Sequence, residues 1–126
     1  MQVIDKLMML AVTVSDMPKA KEFYADKLGL KVASDYRQSD DRWWVNLTLP
    51  EGGVSITLTT YKDENAKLGG MTLWFATSDL NAAHKELFDK GVKVSDIGDD
   101  LHGPGSGTKW FNFKDPEGNL IHLEQA

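Results

Sequence analysis

The sequence of 126 residues predicts an α+β fold built from two βαβββ modules. Residues 7–32, LMMLAVTVSDMPKAKEFYADKLGLKV, are echoed by residues 71–94, MTLWFATSDLNAAHKELFDKGVKV. Each copy reads as an apolar strand, a Ser-Asp pair, an amphipathic helical stretch, a glycine and a return to strand. Behind each helix come three runs rich in branched and aromatic residues, separated by turn residues.

In the first strand Leu10, Val12 and Val14 share one face, and Met9, Ala11 and Thr13 the other, because strand side chains alternate. Ser15-Asp16 can accept the unpaired N–H groups at a helix start, and Pro18 fits a first turn. Helix one follows with Met17, Ala20, Phe23, Tyr24 and Leu28 on its apolar side, and Gly29 suits its left-handed stop. Strands are then expected over 31–39, 42–49 and 54–60, with Gly52-Gly53 turning the second into the third. The polar stretch 62–70 ends in Gly-Gly and reads as a linker. Module two opens with a strand carrying Leu73 and Phe75 inward and Thr72, Trp74 and Ala76 outward. Ser78-Asp79 repeats the cap, helix two places Leu80, Ala83, Leu87 and Phe88 inward, and Gly91 ends it. Strands are expected over 92–97, 108–114 and 120–124, the last two joined through Glu117-Gly118-Asn119. The chain is thus one domain over 1–126, with module one at 1–61, the linker at 62–70 and module two at 71–126.

Cysteine is absent, which excludes disulfides and thiolate metal sites. The start carries no basic region followed by an apolar run, and no stretch reaches membrane-spanning length, so a cytoplasmic protein without a membrane partner is expected. A net charge of -5 disfavours nucleic acid and favours neutral or cationic ligands.

Parity also defines a second face, away from the helices. It gathers Trp44, Asn46, Thr57, Thr72, Trp74, Trp110, Asn112 and His122, with Met9 beside them. Large apolar walls with a few convergent polar groups describe a small-molecule site, although a dimer interface or a second small core has the same composition. His84 reads as a partly exposed helix residue. His102 lies in DDLHGPGSGTKW, where the 99–109 loop is either a lid or a solvent-exposed turn. GPGSG is no phosphate loop, because no Lys-Ser/Thr follows and it leads into a strand.

The segments VTVSDMPKAKEFYADKLGLKV, TLWFATSDLNAAHKELFDKGV and FKDPEGNLIHLEQ resemble the vicinal oxygen chelate superfamily of glyoxalases, bleomycin-resistance proteins and extradiol dioxygenases. The resemblance spans nearly the whole chain, and its most specific part is an aromatic residue followed by Asp-Pro-x-Gly-Asn. It implies half-barrel modules around a shared cavity and, often, a homodimer. It also implies metal ligands at one inward position in each of four strands, which here read Met9, Thr57, Thr72 and His122. One imidazole, a thioether and two hydroxyls do not supply the roughly three N or O ligands that an open divalent site needs. No metal or other cofactor is therefore expected. The sequence is closest in character to the metal-free bleomycin-resistance branch, which sequesters a small aromatic or cationic molecule without catalysis. The alternative is an enzyme of lyase, isomerase or dioxygenase type with a nonstandard site using His122 as acid–base.

Overall fold

The computed structural model describes residues 1–62 and 66–126. The centre of the expected 62–70 linker lies outside the described residues. The chain divides into two compact units, Met1–Leu68 and Gly69–Ala126.

The first unit contains β1 (Met9–Thr13), β2 (Lys31–Ser39), β3 (Arg42–Thr48) and β4 (Ser55–Thr59). Aliphatic residues alternate in β1, β3 and β4, whereas β2, KVASDYRQS, is polar and largely exposed. Their order is β1-β4-β3-β2, with β1 parallel to β4 and the other pairs antiparallel. Val12, Val45, Leu47, Ile56 and Leu58 are buried, as are Met17, Ala20, Phe23 and Tyr24 of the helical segment. Burying one such side chain contributes about 1.5–3 kcal/mol relative to leaving it in water.

That segment departs from the expected single α-helix. Asp16 caps it, its carboxylate accepting the Lys19 N–H at 3.1 Å. After α1 (Met17–Lys21) the chain widens into a π-helical turn over Glu22–Lys27, where Leu28 N–H donates to Phe23 O at 2.9 Å. The cause is visible in the repeat: Gly29 lies one residue further from Asp16 than Gly91 does from Asp79. A π turn absorbs such an extra residue. It leaves both Phe23 and Tyr24 buried, edge to face with ring centres 5.3 Å apart.

The second unit contains β5 (Thr72–Thr77), α2 (Leu80–Asp89), β6 (Trp110–Lys114) and β7 (Leu120–Gln125), in the order β5-β7-β6. Strand β5 runs parallel to β7, and β6 antiparallel to it. Asp79 caps α2 through Ala82 N–H at 3.1 Å. At its other end Val92 N–H reaches Leu87 O and Gly91 N–H reaches Phe88 O, both at 3.0 Å, with Gly91 at φ 83. These two bonds satisfy the last carbonyls of the helix. The core holds Leu73, Leu80, Leu87, Val92, Phe111, Phe113 and Ile121. Leu10 in the first unit, and Phe75 and Leu123 here, were expected inside and are half-buried. Phe88 corrects the reading of α2: it is 66% exposed, because it falls about 100° round the helix from Leu87.

The strand expected over 92–97 does not form a ladder. Ser95 N–H bonds Asn112 O at 2.9 Å, but the Ser95 carbonyl is taken by His84 Nε2 at 2.8 Å. Asn112 N–H turns to Ser95 Oγ instead, at 2.9 Å. Pairing resumes only at Gly98, which exchanges both bonds with Trp110. His84 is thus half-buried and structural, its ring edge-on to Phe111 at 4.8 Å.

The Asp-Pro-Glu-Gly-Asn turn is a clasp. The Asp115 carboxylate accepts the N–H groups of Glu117 and Asn119 at 2.9 Å, and the Asn119 amide at 2.8 Å. Asn119 Oδ1 in turn accepts Met71 N–H at 2.9 Å, just before β5. Asp115 and Asn119 are 5% and 1% exposed, so the most specific motif of the sequence holds β5 beside the β6–β7 turn. Among the described residues no helix is long and apolar enough to cross a membrane.

Candidate functional site

Register places the second-face residues of the second unit in rows. Asn112, His122 and Trp74 lie opposite one another across β6, β7 and β5. Neighbouring rows hold Lys114, Leu120 and Thr72 on one side, and Trp110, Glu124 and Ala76 on the other. The Ile121 side chain is buried in the core, so alternation sends His122 to this opposite surface. There its imidazole stacks on Trp74, ring centres 4.3 Å apart and planes 21° apart. Trp110 approaches from the other side, at 5.8 Å and 49°. The Trp110 indole packs closely against Gly98, where a Cβ would sit 2.9 Å from its Nε1. Only glycine leaves that space.

His122 Nδ1 is buried with no hydrogen-bond partner. A buried polar atom left unpaired costs about 1–3 kcal/mol, and such atoms concentrate where a ligand or water completes the bonding. Trp74 is 54% exposed, an unusually open position for an indole. The side-chain amide of Asn112 makes no hydrogen bond among the described residues.

The 99–109 loop is folded on itself. Asp100, at φ 59, accepts Gly107 N–H at 2.7 Å, and Leu101 N–H meets Thr108 O at 3.2 Å. The Gly107 N–H, with a second bond from Gly105, holds the Asp100 carboxyl below its ordinary value. His102 Nε2 reaches Glu124 Oε2 at 3.2 Å, tethering the loop beside Trp110.

The candidates of the first unit are arranged differently. Thr57 Oγ1 donates to Asn46 Oδ1 at 2.6 Å and touches Met9 Sδ at 3.1 Å, while Asn46 Nδ2 donates to Ser34 Oγ at 2.7 Å. Their polar groups bond one another, and Thr57 is 7% exposed. Trp44 leans on Tyr36, ring centres 4.8 Å apart. Trp43 projects the opposite way, its Nε1 donating to Asp35 at 2.7 Å.

Sequence reasoning missed a cleft lined by Lys93, Ser95, Asn112, Lys114 and Leu120, with Val94 and Phe113 behind. Lys114 shares parity with Asn112, which could have signalled it. The donors at the four inward positions do not fit a divalent metal: the Met9 thioether and Thr57 hydroxyl are engaged with each other, and Thr72 adds only a hydroxyl to His122. Among the described residues no three His, Asp or Glu side chains gather where they could hold a metal ion.

Several solved structures share this fold. TnmS3, an antibiotic binding protein from Streptomyces sp. CB03234, superposes with a TM-score of 0.81 at 26% identity, over 99% of this chain and 98% of its own. A member of the glyoxalase/bleomycin resistance protein/dioxygenase superfamily from Sphaerobacter thermophilus DSM 20745 gives 0.78 at 25% identity, over 98% of each chain. The uncharacterized protein YwkD of Bacillus subtilis (strain 168) is 30% identical over 115 residues, 86% of this chain and 87% of that protein. The profile of the Glyoxalase/Bleomycin resistance protein/Dioxygenase superfamily matches residues 6–123, and the chain belongs to that superfamily.

Proposed function

We propose that this protein binds a small molecule with a flat aromatic portion, in a metal-free site, and acts by sequestering or carrying it. The observation that carries the proposal is the Trp74–His122–Trp110 cluster with its unpartnered buried Nδ1. Indole faces stack aromatic rings and attract cations, while the imidazole offers one hydrogen bond to fix orientation. Likeness to an antibiotic binding protein supports the same reading. Asn112 and Thr72 extend the surface of this sheet, and Trp44, Asn46 and Thr57 form a second candidate set on the first. The protein is further proposed to be a cytoplasmic homodimer.

Titration of flat aromatic compounds, followed by tryptophan fluorescence, tests the proposal. Trp74→Ala should weaken binding more than His122→Ala, since it removes the larger stacking surface, and neither should much alter the melting temperature. Unchanged affinity in both variants would place the site elsewhere. The unpaired Nδ1 also favours a second reading, His122 as acid–base in an enzyme of the superfamily. Turnover of a bound ligand that His122→Gln abolishes while binding survives would establish it.

A further inference from the structure

We propose that the cleft between Lys93 and Lys114 is a carboxylate-binding end of the aromatic surface, so that the molecule taken by the second unit is an aromatic acid. This rests on the binding role assigned above to Trp74 and His122, and narrows it. The overall acidity of the chain favours a cation, but the local arrangement runs the other way.

The cleft exists because the ladder fails. Trp110 and Asn112 turn their backbone groups outward to the 95–98 segment and find partners there. Lys114, two residues further along β6, turns its N–H to the same edge by the same alternation. At that point no ladder bond joins Lys93 to it, and the two strands of chain part. The gap is flanked by two exposed lysines and carries the free Asn112 amide beside Leu120. Neither ammonium makes an ion pair among the described residues, whereas Lys85 and Lys90 of the neighbouring helix pair with Asp89 and Glu86. The acid of this surface, Glu124, sits at its opposite end and is occupied by His102. Two lysines, an outward backbone N–H and an amide along one gap form a donor set for an anion.

Reach agrees with this. With strands about 4.8 Å apart and alternate residues about 6.8 Å apart, Lys114 and Trp74 lie about 12 Å from each other across the sheet. A two-ring aromatic lying across the Trp74–His122 pair would extend its carboxylate toward the Lys114 side chain, past Asn112.

Isothermal titration of the intact chain with 2-naphthoate, 2-naphthamide and 2-naphthylmethylammonium tests the inference. The carboxylate should bind about tenfold or more tighter than the neutral amide, the ratio usual for a charge-assisted hydrogen bond. Lys93→Met with Lys114→Met should bring the carboxylate down to the amide's affinity and leave the amide unchanged, while Lys114→Arg keeps the preference. Equal affinity for acid and amide, insensitive to both lysines, would overturn the carboxylate end but leave the aromatic site standing. Preference for the ammonium compound would overturn it in favour of a cationic ligand. Failure of all three to bind would overturn both this inference and the binding role it rests on.

Discussion

Replacing Asn119 by alanine should be among the most damaging changes available outside the apolar core. Asn119 is 1% exposed and bonds in two directions: its Oδ1 accepts Met71 N–H at 2.9 Å, and its Nδ2 donates to the Asp115 carboxylate at 2.8 Å. Alanine leaves the Met71 N–H without its acceptor and removes one donor from the buried Asp115 carboxylate. An unsatisfied buried group costs about 1–3 kcal/mol and a bond to a charged group is worth about 1.5–3 kcal/mol, so the variant should lose about 3–5 kcal/mol. With an unfolding entropy of about 2.1 cal/mol/K per residue, 126 residues give about 0.26 kcal/mol/K, and the melting temperature should fall by about 10–20 °C. Urea unfolding followed by circular dichroism measures the loss as a lower midpoint at unchanged slope. Asn119→Asp keeps the acceptor for Met71 but sets a second carboxylate against Asp115, and should be no better. A loss in Asn119→Ala below about 0.5 kcal/mol, the range of an ordinary surface change, would refute the clasp.

Gly69→Ala should destabilise doubly, since φ is 74 and a Cβ there would sit 2.3 Å from the Glu117 carbonyl oxygen; a melting curve matching wild type would show that the turn can move aside. Phe113→Ala removes a ring that is 4% exposed and should cost about 3–5 kcal/mol by denaturant titration. The Asp35 carboxyl is held below its ordinary 3.8 chiefly by the Lys21 hydrogen bond, then by that of Trp43. Because the folded value is depressed, its contribution is fully present above the unfolded value and lost as pH falls through the folded one. On so exposed a pair it amounts to about 0.2–1 kcal/mol, so Asp35→Asn should lower stability slightly at neutral pH and not at all in strong acid. Added zinc, manganese, iron or nickel should leave the melting temperature nearly unchanged, and a clear upward shift would mean that a metal binds the native state.

Local pattern alone determined the repeat, the two caps, most strand positions and the surface on which Trp74 and His122 lie. These follow from alternation and helical spacing, which neighbours along the chain set by themselves. The one-residue excess before Gly29 is present in the sequence, but that the helix absorbs it as a π turn is seen only in the structure. Three further features were decided only by tertiary structure. The 92–97 run carries every mark of a strand, yet a helix residue distant in the sequence, His84, takes the Ser95 carbonyl and breaks the ladder. That broken ladder opens the cleft between Lys93 and Lys114. The stacking of His122 on Trp74, with Trp110 tilted beside it and Nδ1 left unpaired, depends on the β5–β7–β6 register and on the bare surface of Gly98. Alternation tells which way a side chain points. What it meets there is set by strands joined only through long-range pairing, and no local spacing encodes that choice of partner.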